Sequence, residues 1–217
     1  QNNYCKKNKG MVRQIIILLT LLVVIGSCKA QDNSSNNIKK NKNMERTTEK
    51  FDSWKYYTHR ENDDYEFKSY LKGKVRQFGG ENGSNYFEYA KKDKELFGTY
   101  REYYNKSKTL KLIGKYYYND FESGIWKEYD ENGYLIAEYD QDAPYKNYPW
   151  EKVEKFVKEE LKLDLFDKNV SIRRYVSDKT NIPVWIIHYK VGSNIVSIKI
   201  NANTGEIIKK GTNPIKK

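Results

Sequence analysis

The distribution of apolar positions divides the chain into four stretches of different character. Residues 15–25 read Ile-Ile-Ile-Leu-Leu-Thr-Leu-Leu-Val-Val-Ile, an almost unbroken apolar run. From 31 to 50 only Ile38 and Met44 are apolar, and a stretch this polar has no face to bury. From Phe51 aromatic residues become dense (Trp54, Tyr56, Tyr57, Tyr65, Phe67, Tyr70) and are cut by glycine and Asn-Gly up to about residue 140. Aromatic and β-branched runs punctuated in this way predict strands. Glu81-Asn82-Gly83 and Glu131-Asn132-Gly133 predict hairpin turns, because Asn-Gly tolerates positive φ. In the last third the period changes. Val153, Phe156, Val157 and Leu161 fall on one face of a helix over 149–163, with Asn147 placed to cap it and Pro149 in its first turn. Strands follow at 170–176, 184–191, 195–200 and 206–209. Trp185, Ile187, Tyr189 and Val191 alternate with Val184, Ile186 and His188, as in a central strand covered on both sides. Residues 211–217 read as a frayed tail. The fold class expected is β-rich α+β: antiparallel hairpins over 51–145, then a small helix-plus-sheet module over 146–217.

The first apolar run is 11 residues long, with Arg13 just before it. A helix that crosses a bilayer needs about 20 apolar residues, so the run has the length and flank of a secretory signal core. It is followed by Ile25-Gly26-Ser27-Cys28, which resembles the bacterial lipobox. Small residues before the cut admit a peptidase to the backbone, and a thiol is the group able to carry lipid as a thioether. The resemblance implies a bacterial lipoprotein: a signal from Met11 to Ser27, with residues 1–10 upstream of it, and acyl chains, including palmitate-type chains, on Cys28. One acyl chain binds a membrane marginally, whereas several hold firmly. Lys29, next to the lipidated residue, is compatible with the outer membrane in the enterobacterial sorting rule. Residues 28–50 are then a flexible tether, with an r.m.s. reach of roughly 25 Å for about 20 residues.

Two further resemblances concern the folded part. Gly98-Thr99-Tyr100-Arg101-Glu102-Tyr103 aligns with Gly124-Ile125-Trp126-Lys127-Glu128-Tyr129, and each is followed by a polar turn and a return strand. A strand–turn–strand unit repeated at this spacing stacks on its neighbours. With Trp126, Lys127, Tyr129, Asn132 and Gly133 it resembles the MORN-variant repeat, some bacterial members of which are described as toxin-neutralising. Asn201-Ala202-Asn203-Thr204-Gly205-Glu206, between two strands and after a helix, resembles the PepSY-type module found in peptidase propeptides.

Composition narrows the chemistry. With 217 residues and 15% aromatics, the chain is neither a large multi-domain enzyme nor globally disordered. After Cys28 there is no cysteine, hence no disulfide or thiolate metal cluster within the mature chain. Only His59 and His188 exist, too few for a histidine zinc site. No Gly-x-Ser-x-Gly elbow or phosphate-cradling glycine loop is present. Asp63-Asp64 and Asp140/Asp142 sit beside turns, where Asp serves the backbone. The formal charge is +11, but basic and acidic residues are interleaved, as in Glu151-Lys152-Val153-Glu154-Lys155, and AT-rich codons alone favour Lys. Nucleic acid is not an expected partner.

The expectation is a non-enzymatic, lipid-anchored protein of the cell envelope, periplasmic or surface facing, without cofactor, metal or catalytic residue. The membrane is met through Cys28, and the partner is a protein or envelope material, with the tyrosine-rich hairpins (Tyr116-Tyr117-Tyr118 above all) as the binding surface. An antitoxin or immunity role and modulation of a peptidase through the C-terminal module are the alternatives.

Overall fold

A computed structural model describes residues 45–118 and 120–215. The expected signal segment, Cys28 and the expected tether as far as residue 44 lie outside the described residues. The chain opens with the short helix α1 (Ser53–His59) and then runs as an antiparallel meander: β1 (Asp64–Ser69), β2 (Gly73–Gly79), β3 (Tyr86–Lys91), β4 (Phe97–Tyr103), β5 (Leu110–Tyr117), β6 (Phe121–Tyr129) and β7 (Leu135–Asp140). These seven strands form one sheet in sequence order. Helix α2 (Trp150–Lys155) follows and widens into a π turn over Phe156–Glu160. A second sheet holds β8 (Val170–Val176), β9 (Pro183–Val191), β10 (Asn194–Asn201) and β11 (Ile207–Pro214), in the order β11-β10-β9-β8. The protein is thus β-rich α+β, hairpins first and helix-plus-sheet second. Among the described residues no helix is long and apolar enough to cross a membrane.

The four-stranded sheet is conventional. Ile172, Trp185, Ile187, Val196, Ile198 and Ile200 share one face, and α2 lays Val153, and its π turn Val157, both fully buried, against it. Each such aliphatic side chain contributes about 1.5–3 kcal/mol on burial. The π turn, with the Leu161 N–H on the Phe156 carbonyl at 3.1 Å, ends the helix. The expected Asn147 cap is absent. Pro149 holds the cap position without a side-chain bond, and Asn147 offers only its carbonyl, to Lys152 Nζ at 3.0 Å. The frayed tail is also corrected: β11 runs to Pro214, because the outer edge of β10 has backbone groups to satisfy as far as Asn194.

The two sheets share a hydrophobic cluster. Tyr117 and Phe121, stacked at 5.0 Å, join Val153, Trp185 and Ile187. Arg174 fastens this junction. Its side chain is 4% exposed, with its guanidinium 4.6 Å from the Phe121 ring centroid and 4.3 Å from that of Tyr145. It pairs with Asp142 at 2.7 Å and donates to the carbonyls of Glu122 and Gln141. A buried cation needs such pairing, since an unpaired one costs several kcal/mol.

The repeat explains how the tether ends. Tyr103 of β4 and Tyr129 of β6, at equivalent positions, are buried beside Phe51 and Leu110. The segment from Glu45 to Phe51 crosses the tips of the two repeat hairpins and meets each in the same way. Tyr129 Oη donates to Glu45 at 2.9 Å and Lys127 pairs with it at 2.7 Å; Tyr103 Oη donates to Glu49 at 2.7 Å and Arg101 pairs with it at 3.1 Å. The Leu135 and Leu110 N–H groups donate to the carbonyls of Glu45 and Glu49, and the Thr47 and Phe51 N–H groups donate to those of Gly133 and Lys108. A four-residue step in the strap thus matches a step of about 25 residues in the sheet. The expected tether over 28–50 is corrected at its end: residues 45–50 form a strap tied down by charge and backbone bonds, which leads into the buried Phe51. Gly133 is required there twice, for its φ of +86° and because a Cβ would lie 2.3 Å from the Thr47 carbonyl.

Candidate functional site: an aromatic cleft on the hairpin sheet

Strap and helix α1 cover one face of the seven-stranded sheet. The other face floors a cleft of about 1330 Å³. Strand alternation lines the cleft with a ring from each of five strands, Phe78 from β2, Tyr89 from β3, Tyr100 from β4, Tyr116 from β5 and Trp126 from β6, and β3 also sends Phe87 to this face, stacked on Phe78 at 5.2 Å. Register brings them together, with Tyr89 opposite Tyr100 and Tyr100 opposite Gly114. Neighbouring centroids are 6.0 Å (Phe78–Tyr89), 5.1 Å (Tyr89–Tyr100), 5.2 Å (Tyr89–Tyr116) and 5.4 Å (Tyr100–Trp126) apart. At the usual strand spacing, a row across five strands runs for roughly 20 Å.

Glycine lets the rings lie flat. A Cβ on Gly114 would meet the Trp126 indole at 2.2 Å, and one on Gly98 would meet the Tyr116 ring at 2.5 Å. Gly114 also sits at the irregularity in the β5–β6 register, which lets Trp126 reach across and donate from Nε1 to the Lys115 carbonyl at 3.0 Å. Trp126 is buried beneath Tyr100, whereas Tyr89 is 36% exposed and Tyr118, at the rim, 59%.

The walls are charged but largely neutralised in pairs: Glu66 with Lys74 at 2.8 Å, Asp64 with Arg76 at 2.5 Å, Lys68 with Asp93 at 2.8 Å, and Asp120 with Arg173 at 2.6 Å. Leu165, Phe166 and Lys168 close the far side. Burial pushes the Tyr116 phenol up to about 12 and raises that of Tyr100, so both keep a proton that a ligand could accept. Burial also raises Asp120, against the lowering by Arg173, and raises Glu122. The arrangement presents aromatic faces, phenolic hydrogen bonds and paired charges, which is chemistry for holding a chain-like ligand.

The tyrosine triplet divides as alternation requires. Tyr116 lies in the cleft, Tyr117 turns into the core shared by the sheets, and Tyr118 stands at the rim. Phe78, Tyr89, Tyr100 and Trp126 were not singled out as a set by the sequence; strand register is the signal that assembles them. His188 is half-buried on β9, and burial lowers its pKa; His59 stacks on Tyr65 and bonds to the Lys55 carbonyl. Asp63 pairs with Arg60, and Asp142 accepts from the Gly124 N–H and from Arg174. Among the described residues no three His, Cys, Asp or Glu side chains are grouped to hold a metal ion. Comparison with protein-family models, with curated proteins and with solved structures returned no match.

Proposed function

We propose that this protein is a lipid-anchored component of the bacterial cell envelope that binds a partner, protein or envelope polymer, non-covalently along the aromatic cleft. The observation that carries the reading is the five-ring row on a sheet face whose wall charges are largely paired. Such a face offers contact area and hydrogen bonds without a reacting group, and tyrosine is enriched where proteins meet their partners. Lipid on Cys28 would keep this face next to the membrane, at the end of a short tether.

The test is capture from envelope extract by the chain from Lys29 onward, which contains every described element. The pair Tyr89→Ala and Tyr116→Ala should abolish capture of the same species while the circular dichroism spectrum is kept. Equal capture by this variant would reject the cleft. Separately, Cys28→Ala should release the protein from membranes, and unchanged fractionation would reject the anchor.

A further inference from the structure

The charge of the chain is segregated in the fold. Residues 45–169 carry 23 basic and 26 acidic side chains, a net −3, whereas residues 170–215 carry seven basic and two acidic, a net +5. A codon bias toward lysine acts on the whole chain and does not produce this division. Strand register then sorts the basic residues further. One face of the four-stranded sheet is the core; the other, expected from the sequence to be covered as well, is open among the described residues apart from Val184, which is buried. The open face presents Arg173 opposite Ile186, Ile186 opposite Lys199, Lys199 opposite Lys209, and Lys190 opposite Ile195. Ser171, His188 and Ser197 form the row between them.

No strand position on this face holds a carboxylate. The two acids of the segment, Asp178 and Glu206, lie outside the strands, at sheet ends. From the neighbouring sheet Asp120 reaches Arg173 and pairs with it, and Lys199 donates to the Tyr175 hydroxyl at 3.1 Å. Lys190 and Lys209 are exposed and have no ion pair among the described residues. Between the cations stand apolar groups open to solvent: Ile195 is 40% exposed and Tyr175 43%.

We propose that this open face is a docking surface for an anionic lipid headgroup layer. Lysines spaced over a flat sheet match a diffuse negative surface, and each one near such a surface strengthens binding about fivefold. The exposed isoleucine and tyrosine suit the apolar–polar boundary of the headgroup region. The face adjoins the aromatic cleft, whose wall holds Ser171 and Arg173, but Lys190, Lys199 and Lys209 lie outside the cleft, and the chemistry of the face does not require lipid on Cys28. It would give a tethered protein a second, salt-sensitive contact with the membrane.

The experiment is co-sedimentation of the unlipidated chain from Lys29 onward with vesicles of phosphatidylglycerol and phosphatidylcholine, against phosphatidylcholine alone. Binding to the anionic vesicles, weakened by added salt and negligible on phosphatidylcholine, is expected. Lys190→Gln, Lys199→Gln and Lys209→Gln together should weaken it roughly 100-fold. Lys146→Gln, Lys155→Gln and Lys158→Gln, which remove the same charge from exposed lysines elsewhere, should weaken it less than about fivefold. Equal loss in the two triple variants would reduce the effect to net charge and overturn the proposal. So would absence of binding to anionic vesicles at low salt, or tighter binding of a DNA duplex lost in the first variant.

Discussion

The buried apolar side chains on the core face of the four-stranded sheet are Ile172, Trp185, Ile187, Val196, Ile198 and Ile200; among these six only the Trp185 N–H needs a partner, which it finds in the Tyr148 carbonyl at 2.8 Å. Beneath the strap and α1, the seven-stranded sheet is covered by a layer of buried tyrosines, Tyr56 from α1 with Tyr86, Tyr103 and Tyr129 from the strands, set beside Val75, Ala90 and Leu110, and these four hydroxyls are all engaged. Tyr56 donates to the Asp63 and Gly79 carbonyls, Tyr86 meets Tyr57 and Lys108, and Tyr103 and Tyr129 donate to the strap glutamates. One sheet is held by volume and the other by a hydrogen-bonded aromatic layer. The first tolerates pH and suffers from cavities. The second has its charged partners at the surface, where protonation and salt reach them.

The most severe way to test the contrast is Trp185→Ala, expected to cost about 3–5 kcal/mol in urea unfolding. Since Phe121, Tyr145 and Arg174 all lie against this indole, the loss should appear in one transition that includes the seven-stranded sheet. Two separated transitions would show that the shared cluster does not couple the sheets. Arg174→Met keeps an apolar stem but removes the Asp142 pair and the ring contacts. A loss of about 2 kcal/mol is expected, less than for a fully buried pair because Asp142 is 41% exposed.

Smaller effects probe the hydrogen-bonded layer. Tyr103→Phe and Tyr129→Phe each remove one hydroxyl bond to a strap glutamate and should cost about 1 kcal/mol. They should also expose the strap to proteolysis before the strands; unchanged cleavage between 45 and 51 would mean that the backbone bonds alone hold it. The smallest effect is a pH dependence. Hydrogen bonds from Lys127 and then Tyr129 hold the Glu45 carboxyl below its ordinary value of 4.5. A depressed folded-state value means a contribution that is complete above the ordinary carboxylate range and is lost as pH falls through the folded value. Glu45→Gln should therefore lower Tm at neutral and alkaline pH and leave it little changed below the folded value, which flattens the acid limb of the profile. A parallel shift at every pH would remove the charge from the account.

Much of the architecture was legible in the order of residues. The last four strands follow directly from alternation, and the repeat at 98–103 and 124–129 marks two strands placed alike in one sheet. Asn132-Gly133 turns as expected, with Asp130 Oδ1 accepting from the Asn132 and Tyr134 N–H groups at 2.9 Å. The strap was not legible. Glu45, Arg46, Thr47 and Glu49 carry no apolar pattern, and their partners lie 52 (Glu49 to Arg101) to 90 (Glu45 to Leu135) positions away. The cleft was half legible: the tyrosine triplet pointed to it, but a row of rings drawn from five strands is invisible until pairing register is known.

Local chemistry therefore determined the elements, because turn preference, strand alternation and helical period act over a few residues. The segregation of charge toward the last sheet is likewise written in the chain. Tertiary structure decided which face each ring and each lysine occupies, where the polar strap lies, and that Arg174 joins the two sheets. Those outcomes depend on pairing between strands distant in sequence, where shifting a register by one residue turns every side chain to the opposite face.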